Sequence, residues 1–537
     1  MRLLTKTLIL VLLPAIVRAG DARGVHGMVA TVHPIATDAA VDVLRRGGNA
    51  IDAAVKAALV LGVVDGHNSG IGGGCFMLVR TSDGKIYALD GRETAPAASS
   101  RDMFVRDGKP DTNLSQSGAL AIGVPGSLAV YDYAITHFGA KSLAESLVAA
   151  ADIAERGFPL DHDYARVLAE KAPALARFEA SRAALLKPDL SPLAEGEILK
   201  QPDLARTYRS IAIEGIDWFY RGDFARRLAG WMKQNGGLIT ETDLATYEVK
   251  LREPLVTTYR GCTIVGFPPP SSGGVHVAQI LNILEQFDLA AMEKNNPADR
   301  VHVMAEAMKL AFADRAYWLG DPDFAPVPRG LVNLGYAAQL ASTIRMDSAA
   351  PDVQHGTPPG AMTDLFGPKH TTHIAVADDK GNFVAITATL NLDFGSKVII
   401  PGTGVIMNNQ MDDFSIQAGV ENYFKLVGSE ANAVAPGKRP LSSMSPTIVL
   451  KDGKPVMTLG AAGGPRIISQ VVLVLTNLID LRVELGAALS RPRFHHQWSP
   501  NELWIENTFD ESVLRQLESR GHKVAIKKPE GATQAIV

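Results

Sequence analysis

TTHIAVADDKGNFVAITATLN, residues 371–391, is the stretch on which the reading of this chain turns. Two runs with alternating apolar and polar residues flank a turn-forming Asp378-Asp379-Lys380-Gly381-Asn382, the pattern of a β-hairpin centred near Lys380. In an antiparallel pair the facing residue numbers sum to a constant, here about 760, which sets Thr371 opposite Thr389. Facing β-carbons lie about 5 Å apart, so two hydroxyls meet within hydrogen-bond reach where the first strand begins. Asn391 follows two residues later on the same face. A slip of one residue would turn these side chains to opposite faces.

Outward from the hairpin the period-two pattern continues. GVIMNN, SPTIVLKDG and KPVMTLGAAGG read as further strands broken by Gly, Asn and Asp, and SQVVLVLTNLIDL reads as a helix. Upstream, residues 36–46 have helical spacing and stop at Gly47-Gly48, and Asn49 caps a second apolar helix from Ala50 to about Leu61. NSGIGGGCFMLVR then leads into a strand from Cys75 to Val79. Its glycines miss the G-x-G-x-x-G spacing, because Cys75 stands last and the loop precedes a strand. It therefore reads as a tight turn with close backbone approach, not a dinucleotide cradle. Residues 120–350 read as helix-rich, with PPPSSGG, from Pro268, as a rigid loop whose Ser271 or Ser272 caps the next helix. Helices around mainly antiparallel sheets, with strands concentrated in the C-terminal part, predict a layered α/β sandwich.

The chain has 537 residues, 46% hydrophobic and 20% charged, with a formal net charge of −4 and no linker-like or single-charge block. That is one globular body, without the basic stripe that binding nucleic acid requires. Arg2 and Lys6, the apolar run Leu8–Val17 and then Val17-Arg18-Ala19 read as an export signal over residues 1–19. Ten apolar residues are too few to span a bilayer, which takes about 20 in a helix. No membrane association is expected after the signal is removed. Cys75 and Cys262 read as two buried free thiols, with one bridge as the alternative. H-E-x-x-H and C-x-x-C spacings are missing, and no metal or cofactor is expected.

GGNAIDAAV, SGIGGG, DGRETAP, PPPSSGG, FADRAYWLGDPDF, TTHIAV, NNQMDDFS, RPLSSMSPTIV and PRFHHQW together resemble the γ-glutamyltransferase family of N-terminal-nucleophile (Ntn) hydrolases. The resemblance implies a four-layer αββα sandwich with two stacked antiparallel sheets. It also implies one precursor that cuts itself between His370 and Thr371, into a large subunit (20–370) and a small one (371–537) that stay associated as a heterodimer. The expected substrates are γ-glutamyl compounds such as glutathione, with water, amino acids or dipeptides as acceptors.

The chemistry gives this scheme its reason. A threonine hydroxyl is a weak nucleophile, and no G-x-S-x-G elbow or Ser-His-Asp set is visible to activate it. Cleavage frees an α-amine with an ordinary pKa of about 7.7–8.0, so Thr371 supplies nucleophile and base together, with Thr389 orienting it. By resemblance, Arg92, Ser442 and Ser443 bind the substrate's α-carboxylate, and Asn391, Gln410 and Asp413 its ammonium. The N–H groups of Gly463 and Gly464 form the oxyanion hole, each worth about 3 kcal/mol. Phe424 stands where bacterial relatives with a lid loop carry a tyrosine that bonds the residue equivalent to Asn391, Pro465 stands where a serine is frequent, and the chain stops at GATQAIV, short of the relatives' final strand. Two alternatives remain at this level: a cephalosporin (glutaryl) acylase-like enzyme, and a processing-dead binding protein for γ-glutamyl peptides.

Overall fold

The computed structural model describes residues 22–366, 374–529 and 531–537. The expected signal and the 370–371 junction lie outside them. In chain order the main strands are β1 (Gly27–Ala30), β2 (Gly74–Arg80), β3 (Ile86–Gly91), β4 (Lys250–Arg252), β5 (Leu255–Tyr259) and β6 (Cys262–Gly266). There follow β7 (Ala375–Asp378), β8 (Phe383–Thr389), β9 (Thr447–Lys451), β10 (Lys454–Ala462) and β11 (Ala532–Ile536). One sheet has the order β1-β7-β8-β2-β3-β4 and the other β11-β10-β9-β6-β5, antiparallel throughout.

The hairpin has the predicted register: Ala375 faces Ala385, Val376 faces Val384 and Ala377 faces Phe383, each pair summing to 760. Asp378 makes the turn, its Oδ1 accepting the N–H groups of Lys380 and Asn382 at 3.0 Å.

β2 is buried along its whole length. Cys75, Met77 and Val79 face a helical layer, whereas Phe76 and Leu78 face the second sheet among Phe267, Ala385, Ile448 and Ala461. A strand covered on both faces loses the polar alternation of a one-sided strand, which is why GCFMLVR reads as a continuous apolar run. Phe76 stacks on Phe267 with ring centroids 5.3 Å apart, and truncating it to alanine should cost about 3–5 kcal/mol.

Helices α1 (Pro34–Arg45), α2 (Ala50–Val64) and α3 (Ser127–Phe138) cover the first sheet, and α4 (Ser272–Leu284) and α6 (Arg466–Ile479) cover the second, with α5 (Pro297–Trp318) packed outside α4. The result is helix, sheet, sheet, helix. α2 begins at a capping box: Asn49 Oδ1 accepts from Ile51 N and Asp52 N, and Asn49 N–H donates to Asp52 Oδ2. Among the described residues no helix is long and apolar enough to cross a membrane.

One sequence expectation is extended and one corrected. The middle region is helix-rich, as expected, and also contains β4, β5 and β6. β5 alternates buried Leu255, Thr257 and Tyr259 with exposed Val256 and Thr258, a period-two signal outweighed by the long helices around it. GVIMNN forms no extended strand, only a bridge between Ile399 and Ile406. Gly402 and Gly404 turn the chain at φ 73° and 67°, and Asn408 is drawn away to Gly72 and Gly123. Cys75 and Cys262 are both free and buried.

The topology bears on a cut chain. β7 and β8, which follow residue 371, sit between β1 and β2, which precede it, and the second sheet mixes β5 and β6 with β9, β10 and β11. Two fragments cut near residue 370 would share both sheets, and separating them would strip ladder hydrogen bonds from each.

Candidate active site

β8 ends at Thr389, opposite Gly74 of β2. The Thr389 Oγ1 accepts the Asn391 N–H at 2.8 Å, which leaves its own O–H free to donate. The bond from Ile386 N–H to the Ile374 carbonyl, 2.7 Å, carries the hairpin register as far as Ile374. His370 and Thr371 lie outside the described residues. Asn391 does not continue the strand: it adopts φ 79°, a left-handed conformation that asparagine tolerates, and its Nδ2 donates to the Asn409 carbonyl at 3.1 Å.

The glycine loop braces this strand end. A Cβ on Gly72 would lie 2.1 Å from the Ile406 carbonyl oxygen, one on Gly73 2.1 Å from that of Thr389, and one on Gly74 2.1 Å from Glu93 Oε2. Close backbone approach is thus the reason for the glycines, as the sequence suggested.

Arg92 and Asp413 form the charged centre. Arg92 is fully buried; its Nε donates to the Pro440 carbonyl at 3.0 Å, and its Nη2 to Asp413 Oδ2 at 2.6 Å and the Leu441 carbonyl at 3.2 Å. Gln410, one helical turn before Asp413, donates Nε2 to the same carboxylate oxygen at 2.8 Å. The Gln410 Oε1 is buried without a partner, an acceptor waiting for a donor. Beside this pair lies Glu93, fully buried, with neither carboxylate oxygen hydrogen-bonded and Arg92 Nη1 3.6 Å away. Burial pushes its carboxyl up to about 7 against the opposing pull of Arg92.

Ser442 and Ser443 are fixed by the PPPSSGG loop and by α5. The Ser442 N–H donates to the Pro270 carbonyl at 2.8 Å, and the Ser442 carbonyl accepts both the N–H and the Oγ–H of Ser272 at 2.7 Å. Arg315, in FADRAYW on α5, donates Nε to Ser272 Oγ at 2.9 Å and Nη2 to Ser443 Oγ at 3.2 Å.

Gly463 and Gly464 turn the chain from β10 into α6 at φ 129° and 59°. Their carbonyls accept from Arg466 Nε and Ile467 N–H, and neither glycine N–H is spent on a described residue. The Phe424 ring lies over this turn, its Cδ1 2.7 Å from where a Gly464 Cβ would stand. Gln497 of PRFHHQW tethers the loop, donating Nε2 to the carbonyls of Phe424 and Lys425 at 3.1 Å. A ring contact and this tether place the loop without the tyrosine hydroxyl.

These contacts join the predicted residues that the structure describes into one chain of neighbours. It runs from Thr389 through Asn391 and Asn409 to Gln410, Asp413 and Arg92, and on to the carbonyls preceding Ser442. Phe424 links Gly464 to it through Tyr423, whose N–H donates to Asp412 Oδ2. Glu93, Arg315 and Gln497 received no role from the sequence reading, and Ser272 only that of a possible helix cap, a position the structure gives to Ser271. Their signal was membership of the same recognised strings, without which each looks like an ordinary charged or polar residue.

Among the described residues, one group elsewhere has metal-ligand character: His302, Glu306 and His522, buried together. Their atoms are engaged. His302 Nε2 bonds the Arg345 carbonyl at 2.7 Å and His302 Nδ1 bonds His522 Nε2 at 2.8 Å, while the Glu306 oxygens take Lys309 Nζ and the Ala350 N–H. The group clamps α5 to the C-terminal segment.

The sequence model for the family described as gamma-glutamyltranspeptidase matches residues 36–537. The glutathione hydrolase proenzyme of Escherichia coli strain K12 is 44% identical over 518 residues, covering 96% of this chain and 88% of the relative. The solved structure of cephalosporin acylase from Bacillus halodurans superposes with a TM-score of 0.84 at 28% identity, covering 98% of this chain and 97% of that one. That of Helicobacter pylori gamma-glutamyltranspeptidase superposes with a TM-score of 0.61 at 38% identity, covering 64% and 97%.

Proposed function

The chain belongs to the gamma-glutamyltranspeptidase family, and from that premise we propose that it cleaves the γ-glutamyl amide of glutathione and related compounds through an acyl-enzyme on Thr371. The observation that carries this reading is the Asp413 carboxylate beside the unpaired Gln410 Oε1, close to the end of the hairpin strand. Together they are acceptors matched to an ammonium, which a γ-glutamyl group carries and a glutaryl group lacks. The acylase-like reading, which the whole-chain superposition on a cephalosporin acylase favours, leaves the buried Gln410 Oε1 without a donor to accept from.

The first step is on the chain itself. The Thr371 hydroxyl attacks the His370 carbonyl carbon, the peptide nitrogen leaves as the new α-amine, and water hydrolyses the resulting ester. The freed amine then takes the Thr371 hydroxyl proton as the oxygen attacks the substrate's γ-carbonyl. The tetrahedral oxyanion is met by the N–H groups of Gly463 and Gly464, and the amine passes its proton to the departing nitrogen. Thr389, its oxygen already occupied by the Asn391 N–H, donates its proton toward Thr371. Water, an amino acid or a dipeptide amine then takes the γ-glutamyl group. The two fragments remain one heterodimer because they share both sheets. The basic and apolar N-terminus supports export of the precursor to the periplasm or beyond, with the signal removed.

The test is Thr371→Ala, expected as a single uncut polypeptide with no turnover of a γ-glutamyl anilide, against Thr371→Ser, which processes in part. Two subunits from the alanine variant would defeat the assignment.

A further inference from the structure

Asp393 stands shortly beyond Thr389, at the corner of a turn that the Gly395 N–H closes on the Leu392 carbonyl at 2.7 Å. Its backbone is pinned on both sides: the Leu392 N–H donates to Asn409 Oδ1 at 3.0 Å and the Phe394 N–H to the His67 carbonyl at 2.7 Å. The Asp393 carboxylate is 34% exposed, accepts no hydrogen bond among the described residues, and has Lys171 Nζ 3.6 Å away. Lys171 comes from the helix His162–Leu175, in the part of the chain that precedes the cut. Its side chain is 19% exposed, and one of its three Nζ donors goes to Glu170 Oε1 at 2.6 Å. Glu170 is itself largely exposed, so water competes for that bond. The approach to Asp393 is too long for a hydrogen bond, and the other two donors have no partner among the described residues.

Lys171 also lies beside the mouth of the site. Burial works to lower its pKa, but Glu170, Asp393 and Tyr423 together hold it raised, so it stays cationic. Tyr423 is half exposed on the loop whose Phe424 ring lies over the Gly464 turn. Lys171 therefore stands between the loop that leaves the end of β8 and the loop that covers the oxyanion turn. Deeper in, Lys397 is buried and donates Nζ to the Gly395 carbonyl at 2.5 Å; burial pushes its ammonium down to about 8, and Asp393 opposes that. Asp393 thus serves a buried ammonium and a part-exposed one, which leaves Lys171 as the cation with donors to offer.

The acyl-enzyme gives that cation a use. Water needs no further site, whereas an amino acid or dipeptide acceptor brings a carboxylate that has to be answered near the strand end. The acceptor's amine attacks the Thr371 ester carbon, the carbon–oxygen bond breaks, and the proton shed by the amine returns to the Thr371 oxygen through the α-amine. We infer that Lys171 is a specificity-determining residue that receives the terminal carboxylate of the acceptor, and that of the dipeptide leaving glutathione, while Asp393 aims it. This rests on the γ-glutamyl reading above. Lysine suits the task because its flexible stem lets one point charge follow carboxylates at different reach, on an amino acid or on a dipeptide.

The experiment uses the processed enzyme, γ-glutamyl p-nitroanilide as donor, and glycylglycine or glycylglycinamide as acceptor, which differ in the terminal carboxylate alone. The readout is the ratio of the two acceptor KM values, glycylglycine over its amide. Lys171→Gln should raise that ratio by about tenfold, the scale of one charge-assisted hydrogen bond at a part-exposed position. Lys171→Glu should raise it further, and Lys171→Arg, which keeps the charge, should stay within about threefold of wild type. A ratio that Lys171→Gln leaves unchanged, with both KM values at the wild-type level or both raised together, would overturn the inference, because a merely structural role does not tell the two acceptors apart. Failure of both Lys171→Gln and Lys171→Arg to mature into two subunits would place Lys171 in folding and overturn it as well. A wild-type enzyme that hydrolyses the anilide but transfers to neither acceptor would refute the inference and leave the γ-glutamyl reading standing. One that does not split the anilide would defeat that reading itself, a separate outcome.

Discussion

Replacing Gly73 with alanine adds one carbon, and the structure says where it goes. The new Cβ would stand 2.1 Å from the Thr389 carbonyl oxygen and 3.0 Å from its carbonyl carbon. An ordinary contact needs a further separation of about 1 Å. The loop cannot retreat cheaply, because the Gly73 carbonyl accepts the N–H groups of Gly126 and Ser127 at 3.0 and 3.1 Å, and the Gly73 N–H is held by Gly70. The end of β8 must therefore give way, and Thr389 moves with it. Overpacking of this kind costs about 1–3 kcal/mol of stability. The larger effect is on rate: displacing a catalytic group by about 1 Å costs about 100-fold. The expectation for Gly73→Ala is a protein that melts a few degrees lower and hydrolyses γ-glutamyl p-nitroanilide about 100-fold more slowly, with slowed maturation on a gel. A processed variant with kcat within threefold of wild type would show that the glycine loop does not hold Thr389, and the reasoning would fail.

Other substitutions test other parts of the site. Asp413→Asn leaves the buried Arg92 without its closest carboxylate, a loss of about 3–5 kcal/mol moderated by ionisation of Glu93 at 3.6 Å, so both the melting temperature and γ-glutamyl turnover should fall; unaltered turnover would remove Asp413 from substrate binding. His522 is held down to about 3 by burial, against 6.5 when unfolded, so the unfolded chain gains protons first and stability is lost as pH falls from about 6.5. At pH 4.5 that amounts to about 3 kcal/mol, and His522→Gln, which can still donate to His302, should show a shallower drop in melting temperature between pH 7 and 4.5; an equally steep drop would contradict the assignment. Gln497→Leu removes the tether of the Phe424 loop and should raise KM and open residues 415–428 to limited proteolysis, whereas wild-type KM and protease resistance would show that the loop holds itself.

How much of this was legible in the sequence depended on how local the cause was. The hairpin register followed from alternation and from Asp378 in the turn, and it holds in the structure. The Asn49 cap and the glycine loop were likewise readable, since capping and close approach leave their mark within a few residues. Strands β5 and β6 were missed because short period-two runs lie inside a helical region, and GVIMNN was over-read because its asparagine bonds to loops far away in sequence. The partnership of Arg315 with Ser443 spans 128 positions, and no local pattern announces it. The same holds for Glu93: its sequence neighbours give no hint that it ends up buried with no hydrogen-bond partner.

The central claim is that Thr371 acts only after the backbone ahead of it is severed. N-terminal sequencing of the smaller fragment, in a preparation that turns over γ-glutamyl p-nitroanilide, tests it most directly. The account predicts a sequence beginning Thr-Thr-His-Ile-Ala, with activity rising in step with that fragment. Full turnover by a preparation in which residues 370 and 371 remain joined, or a fragment that starts elsewhere, would contradict it.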